Sequence, residues 1–216
     1  PFHNPGNSSA FNSLPYLRLA AAASTEKGIL APSHEEVDKY LEAWEAYTNN
    51  TAHRIVKFVP ASGAASRMFK NMFAFVDADY TTPTTDFEKS FFNNIHEAAF
   101  YGDLDSACQR IYGKNIDELL SANQYKEVVK AMLDKEGLNY GALPKGLLKF
   151  HKYANGSRTP LEEHLVEGAL YAREKDGTVN IHFTVSTEHR ALFEALVNKV
   201  VPAYEKEFGV KYNVSF

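Results

Sequence analysis

The sequence predicts an α/β fold with a largely parallel sheet, because three strand-like apolar runs are separated by amphipathic helices. The runs lie at residues 53–59, 178–185 and 210–216. The last two alternate apolar and polar residues, which is typical of half-buried strands. A strand, a helix and a second strand in succession return the chain in the same direction, so we expect parallel pairing.

The helices between these strands are predicted from their end signals. A Ser or Thr followed three residues later by Glu is a capping box, the sequence signature of a helix start. The capping pairs are Ser33 with Glu36, Thr85 with Glu88, and Thr159 with Glu162. We expect Gly209 to end the helix before the final strand, since glycine adopts the left-handed cap conformation easily.

Composition changes along the chain predict its organisation. Residues 1–52 are expected to form an N-terminal tail and helical extension, and 53–216 an α/β core. A segment at about 86–139 has no strand pattern and is predicted to be a helical insert. A domain seldom ends within a strand on an aromatic residue, so we expect the protein to continue beyond Phe216.

Bulk composition narrows the function classes. The 216 residues are 44% hydrophobic, enough for one sizeable core or two small ones. The net charge of −4 gives no global electrostatic case for binding DNA or RNA. No stretch is long and apolar enough to span a bilayer. The sequence predicts neither a nucleic-acid nor a membrane protein, and it does not indicate an oligomeric state.

Cysteine usage favours a reducing, cytoplasmic setting. Cys108 is the only cysteine, so a disulfide framework and a cysteine-based zinc site are both excluded. Its neighbours in sequence include no histidine or basic residue, and we interpret it as buried rather than nucleophilic.

The loop after the first strand is the strongest candidate site. Small residues at 61–66 would let a ligand approach backbone N–H groups closely. We expect a helix over Ala64–Phe75, which would carry Arg67 and Lys70 in its first turns and offer its positive dipole end. A tight packing turn is the alternative, but two cations beside this end favour a phosphate site.

Two further cations are weaker candidates. Lys145 lies in the sequence Pro144-Lys145-Gly146, and its alternative role is a solvated surface lysine. Arg158 precedes a capped helix and has the geometry to pair with a phosphate, although a salt bridge with Glu162 or Glu163 is favoured.

The histidines do not form a recognisable metal motif. The His-Glu-x-x-His spacing of zinc proteases is absent. A structural role is favoured for His151, His164 and His182. His189 follows the carboxyl end of a predicted strand, where open α/β sheets bind ligands, so both roles remain open for it.

The order of these motifs resembles that of sugar nucleotidyltransferases, over roughly Arg54–Phe216 without the insert. The matching segments are Ala61-Ser62-Gly63-Ala64-Ala65-Ser66-Arg67-Met68, Pro144-Lys145-Gly146-Leu147, Arg158–His164, Ile181–Ser186 and Lys211–Phe216. The resemblance implies a Rossmann-like sheet of the nucleotide-diphospho-sugar transferase type. The motif order also resembles an uncharacterised bacterial family of unknown function.

This chain departs from the nucleotidyltransferase pattern at three points. Ala65 replaces the last glycine of the loop and Ser66 replaces threonine. The insert separates Pro144-Lys145 from the loop. The aspartates that hold magnesium in that family would lie beyond Phe216, so the metal ligands are unknown.

The resemblance implies an Mg²⁺-dependent reaction that joins a nucleotide to a sugar phosphate or similar metabolite and releases pyrophosphate. Arg67 would hold the β- and γ-phosphates and Lys145 would neutralise the reacting phosphates. Further residues expected to face nucleotide or phosphate are Ala61, Ser62, Gly63, Ala64, Ala65, Ser66, Lys70, Arg158, Ser186 and His189. The alternatives are a nucleotide-sugar-dependent glycosyltransferase and a non-catalytic nucleotide- or phosphate-binding protein.

Overall fold

A computed structural model describes residues 20–216 as a mixed α/β chain. The chain divides into two compact units, Pro1–Ala46 and Tyr47–Phe216. The beginning of the predicted N-terminal tail, residues 1–19, lies outside the described residues.

The first described helix, α1, spans His34–Thr48. Its predicted capping box is confirmed, because the Glu36 amide donates to Ser33 Oγ at 3.3 Å and the Ser33 amide donates to Glu36 Oε2 at 2.8 Å.

The second unit contains five strands and seven further α-helices within the described residues. The strands are β1 (Val56–Pro60), β2 (His151–Tyr153), β3 (Gly156–Arg158), β4 (Thr178–Thr184) and β5 (Lys211–Ser215). The helices are α2 (Lys70–Asp77), α3 (Asp86–Asn93), α4 (Tyr101–Tyr112), α5 (Ile116–Ser121), α6 (Tyr125–Leu133), α7 (Pro160–Tyr171) and α8 (Arg190–Phe208). Short 3₁₀ helices cover Ile95–Glu97 and Lys145–Leu147.

The predicted parallel sheet is confirmed as a small three-stranded sheet. Its order is β1-β4-β5, and both neighbouring pairs run parallel. Phe58 lies opposite His182 between β1 and β4, and Ile181 lies opposite Val214 between β4 and β5. The β1–β4 connection contains helices α2–α7 and the β2–β3 hairpin, and the β4–β5 connection contains α8, so both are long enough for parallel pairing.

One face of the sheet is covered by α7 and α8. Leu165 of α7 and Phe193 of α8 are fully buried in one cluster with Val179 of β4. At Gly168 a Cβ atom would lie 2.8 Å from a Val179 methyl carbon, so the glycine permits the close approach of α7 to β4. On the opposite face Phe58 is 63% exposed.

Residues 86–139, the predicted insert, contain helices and turns but no strand, and they contribute to a second hydrophobic core. The helices α3–α6 pack with α2 around fully buried aromatic and aliphatic side chains, including Phe75 and Leu104. Cys108 belongs to this core, and burial raises the pKa of its thiol to about 11, as expected of an inert cysteine. The predicted capping box of α3 is confirmed.

The boundaries of α2 were predicted wrongly. The helix begins at Lys70, not at Ala64, and Arg67 lies in a turn before it. Residues 63–64 form β-bridge hydrogen bonds with residues 144–145. This pairing needs an extended backbone, so the helix cannot include residues 63–64. The helix dipole therefore begins at Lys70 and not at the small-residue loop.

Two elements were missed in the sequence. The β2–β3 hairpin forms where a loop was expected. Helix α5 begins at a capping box formed by Asn115 and Glu118, a signal that the sequence does contain.

Candidate functional site

The loop after β1 is held against the segment that contains Lys145. The Ala61 amide first donates to the Thr184 carbonyl of β4 at 2.9 Å. The Lys145 amide then donates to the Gly63 carbonyl at 3.0 Å, and Ala64 forms an antiparallel bridge with Pro144. Two segments far apart in sequence, on either side of the helical insert, are therefore adjacent.

The loop also joins the two hydrophobic cores of the second unit. Val59 at its start belongs to the sheet core, whereas Ala65 and Phe69 at its end are buried in the helical core. Between these anchors Gly63 is exposed, and a Cβ atom built on it would meet no atom within 4 Å. Its backbone torsion does not require glycine, so the missing side chain leaves open space beside the backbone.

A cavity of about 160 Å³ opens beside this loop, at the carboxyl ends of β1 and β4. We call it the Lys145 cleft. It is lined by Val59, Pro60, Ala61, Gly63, Lys145, Gly146, Pro160, Leu161, His164, Phe183 and Phe193. Its wall combines backbone of the loop, one cation, one imidazole and two phenyl rings.

His164 is the functional group that the sequence did not point to. It lies on α7, one turn beyond the helix start, and its ring centroid is 6.2 Å from that of Phe183. Its Nδ1 lies 3.1 Å from Glu167 Oε2. A signal was available, because residues three apart on a helix are neighbours, but this spacing is common and says nothing about a cavity.

The Glu167 carboxylate is the centre of a network behind the cleft. Lys57 Nζ of β1 donates to Glu167 Oε2 at 2.7 Å, and Tyr171 Oη donates to the same oxygen at 3.0 Å. Hydrogen bonds from Lys57 above all, and from Tyr171 and His164, lower the pKa of Glu167 to about 2. Burial lowers the pKa of Lys57, but its hydrogen bonds to Glu167 and Tyr171 outweigh this and raise it overall.

Arg158 lies in a second cavity, of about 290 Å³, formed by the β2–β3 hairpin and α8. We call it the Arg158 cleft. The guanidinium carbon lies 4.6 Å from the Tyr153 ring centroid and 5.9 Å from that of Tyr204. The Arg158 Nη1 atom lies 3.7 Å from Glu163 Oε2, and both side chains are mostly buried. Of the two salt-bridge partners predicted for Arg158, Glu163 is the one that the structure shows.

The predicted site residues fall into separate groups. Ala61, Gly63 and Lys145 line the Lys145 cleft. Ser186 and His189 follow β4 at the same edge of the sheet and bond each other, with 2.8 Å between Ser186 Oγ and His189 Nδ1. Predicted residues that do not line the Lys145 cleft are Ser62, Ala64, Ala65, Ser66, Arg67, Lys70, Arg158, Ser186 and His189.

Three of the predicted site cations share two properties. Over residues 20–216, no carboxylate forms an ion pair with Arg67, Lys70 or Lys145. All three side chains are exposed. The loop and the cleft thus present positive charge that no acidic side chain of the described chain neutralises.

Among residues 20–216 we find no cluster of metal-ligating side chains that would hold magnesium. No group of three or more His, Cys, Asp or Glu side chains is arranged to hold a metal ion in the described part of the chain. The same residues contain no helix with the length and apolar character needed to cross a membrane.

Comparison with known proteins places the chain in a family. The profile of the domain of unknown function DUF4301 matches residues 8–216, nearly the whole sequence, so the chain belongs to that family. No curated protein and no solved structure matches the chain.

Proposed function

We propose that this family member is an enzyme that binds a phosphorylated ligand in the Lys145 cleft and transfers a nucleotide to a sugar phosphate or similar metabolite. One observation carries the proposal: Lys145, a cation without a carboxylate partner in the described chain, donates its amide hydrogen to the carbonyl of Gly63, a residue with open space beside its backbone. An ammonium group beside accessible backbone is suited to phosphate oxygens.

The position of the cleft supports a ligand site. It lies outside the carboxyl ends of parallel strands, where open α/β sheets bind their ligands. Its volume of about 160 Å³ is below the range of about 300–1,000 Å³ typical of ligand pockets. We therefore assign to it a phosphate group and the part of the ligand next to it, with the rest of a nucleotide lying outside.

The proposed chemistry needs positioning and charge neutralisation more than a protein nucleophile. An oxygen of the sugar phosphate attacks the α-phosphorus of a nucleoside triphosphate, a new P–O bond forms, and pyrophosphate leaves. Lys145 would neutralise charge on the reacting phosphates, and Arg67, in the turn before α2, would contact the β- and γ-phosphates.

Magnesium and a cytoplasmic setting belong to the proposal as well. Mg²⁺ supplies charge neutralisation to phosphoryl transfer and is commonly held largely by substrate phosphates, and we assign it no ligand in this chain. The reducing compartment is supported by the single cysteine, Cys108, a buried free thiol.

Calorimetric titration of the purified chain with inorganic triphosphate tests the cleft. Lys145→Ala should weaken binding about tenfold, or about 1.4 kcal/mol, because it removes a charge-assisted contact. Lys175→Ala is the matched control, since Lys175 is an exposed lysine in the turn before β4, at the opposite end of that strand. Equal affinities of wild type and Lys145→Ala would show that the phosphate site lies elsewhere.

Gly63→Ala tests the loop separately from the charge. The added methyl group meets no protein atom, so the thermal midpoint should stay within about 2 °C, as for a neutral surface substitution. Triphosphate affinity should nevertheless fall, by roughly threefold or more, because the methyl occupies the space through which a ligand reaches the backbone. Unchanged affinity would remove the loop from the site.

Turnover distinguishes an enzyme from a binding protein. Pyrophosphate release should be measured with nucleoside triphosphates, sugar phosphates and Mg²⁺ together, and again with each component omitted. Release that needs all three supports the proposed reaction. Tight triphosphate binding without release under any condition would instead identify a non-catalytic phosphate-binding protein.

A further inference from the structure

His164 has a hydrogen-bond partner at one ring nitrogen only, within the described residues. Its Nδ1 bonds Glu167, and His164 is one of the residues that line the Lys145 cleft. Within residues 20–216 no protein atom hydrogen-bonds the other ring nitrogen, Nε2. The two nitrogens flank Cε1 and their hydrogen-bonding directions diverge widely, so Nε2 is directed away from Glu167 when Nδ1 bonds it.

The network behind the ring determines which nitrogen carries the proton. Glu167 is ionised at neutral pH and accepts hydrogen bonds from Lys57 and Tyr171, so it has no proton to give to the ring. Nδ1 must therefore be the donor in this pair. In the neutral imidazole Nε2 is then an acceptor, and the partner that it lacks is a hydrogen-bond donor.

A hydrogen-bond acceptor next to a phosphate site suits a ligand that carries a hydroxyl group. Lys145 lines the same small cavity as His164 and offers only hydrogen-bond donors, which suit phosphate oxygens. The cleft thus contains a donor group for phosphate and an acceptor for a hydroxyl. A sugar phosphate carries both complementary groups within a few bonds of each other.

We propose that His164 is a specificity-determining residue, whose Nε2 accepts a hydrogen bond from a hydroxyl group of a sugar-phosphate ligand in the Lys145 cleft. Glu167 is a positioning residue that fixes the ring through Nδ1. This inference rests on the proposed function, because it needs phosphate to bind beside Lys145.

Two probe ligands separate hydroxyl recognition from phosphate binding. Glucose 1-phosphate and cyclohexyl phosphate share a six-membered ring and a phosphate group, but only the first carries ring hydroxyls. Wild type should bind glucose 1-phosphate more tightly in a calorimetric titration. In His164→Leu this preference should fall roughly three- to tenfold, while the affinity for cyclohexyl phosphate stays within about twofold.

His182→Leu is the matched control. His182 stacks on Phe58, with 5.4 Å between ring centroids, and bonds Ser215 on the face of the sheet opposite α7 and α8. The control should keep the wild-type preference. His164→Gln retains a hydrogen-bonding group and provides a second variant if the leucine variant does not fold. Its preference for glucose 1-phosphate over cyclohexyl phosphate should be weaker than that of the wild type but still present.

The role of Glu167 is tested by a signal that packing alone would not change. In ¹⁵N-edited NMR spectra the wild-type His164 ring should show the tautomer with the proton on Nδ1. Glu167→Ala should give a mixture of tautomers and also reduce the glucose 1-phosphate preference. An unchanged tautomer would overturn the positioning role.

The outcomes of the probe titrations are distinguishable. If His164→Leu loses affinity for both phosphates equally, or for neither, the hydroxyl contact is wrong and phosphate binding at Lys145 stands. If wild type binds neither probe nor inorganic triphosphate, this inference and the proposed function both fail.

Discussion

The Lys145 cleft and the Arg158 cleft lie on two sides of the start of α7, and they treat their cations in opposite ways. Arg158 is mostly buried, lies near two tyrosine rings and has Glu163 as its partner. Lys145 is exposed, and its side chain forms no ion pair within the described chain. A cation that is already neutralised holds the structure together, whereas one without a partner is available to a ligand.

The difference also shows what makes a glycine informative. Gly146 is constrained by packing, since a Cβ atom there would lie 2.8 Å from a Phe193 ring carbon. Gly63, in the same cleft, faces open space. Within one cavity the first glycine is required by packing, whereas no protein atom requires the second to be glycine.

The largest expected effect comes from closing the Lys145 cleft. Gly146→Ala should lower the free energy of unfolding by about 2–3 kcal/mol, because the buried Phe193 ring must shift. It should also reduce triphosphate binding. Gly102→Ala in α4 is the control, since its Cβ would meet no atom within 4 Å and alanine favours the helix. Denaturant unfolding measures the stability of the two variants. Equal free energies of unfolding for Gly146→Ala and Gly102→Ala would contradict the packing constraint.

A smaller effect is expected at the Arg158 cleft. Arg158→Ala should cost about 1–2 kcal/mol of stability, because it leaves the largely buried Glu163 carboxylate without its cation. Triphosphate affinity should not change. Arg190→Ala, which breaks a surface pair with Glu194, should stay within about 0.5 kcal/mol. Loss of triphosphate binding in Arg158→Ala would show that the phosphate site is the Arg158 cleft and not the Lys145 cleft.

The smallest effect depends on pH and tests the network behind His164. The pKa of Glu167 is lowered in the folded protein from 4.5 to about 2, so its stabilising contribution is fully present above pH 4.5. That contribution is lost as the pH falls towards 2. Because the carboxylate is partly exposed, we expect less than about 1 kcal/mol.

Glu167→Gln should therefore be less stable than wild type at pH 6, and the difference should shrink by pH 3. Glu35→Gln on the exposed face of α1 is the control and should show a smaller change. A stability difference between wild type and Glu167→Gln that stays constant from pH 6 to pH 3 would contradict the lowered pKa.

Local signals explain what could be predicted of the fold. The caps at Thr85 and Thr159 and the end of α8 at Gly209 depend on neighbouring residues, and all three are confirmed. The alternation of β4 is confirmed except at Asn180, which is buried. The start of α2 was wrong because small residues after a strand are compatible with both helix and loop. Pairing with a distant segment decided between them.

The candidate site was predictable only in part. The loop and Lys145 were identified separately, and a family resemblance suggested their association. His164 was assigned a structural role, since nothing in the residues around it reveals the cavity that it lines. Arg158 was recognisable as a salt-bridge residue because Glu162 and Glu163 lie on the first turn of the same helix.

The sequence by itself determined the three strands of the sheet and their parallel direction, the capped starts of α1, α3 and α7, and the absence of strands from residues 86–139. These properties follow from periodicity and capping, which act over a few residues. Only the tertiary structure decided that Lys145 lies beside Gly63, that His164 faces the same cleft and that Arg158 lies in another. Such contacts join residues on separate elements, and their formation depends on how the two cores pack rather than on any local preference.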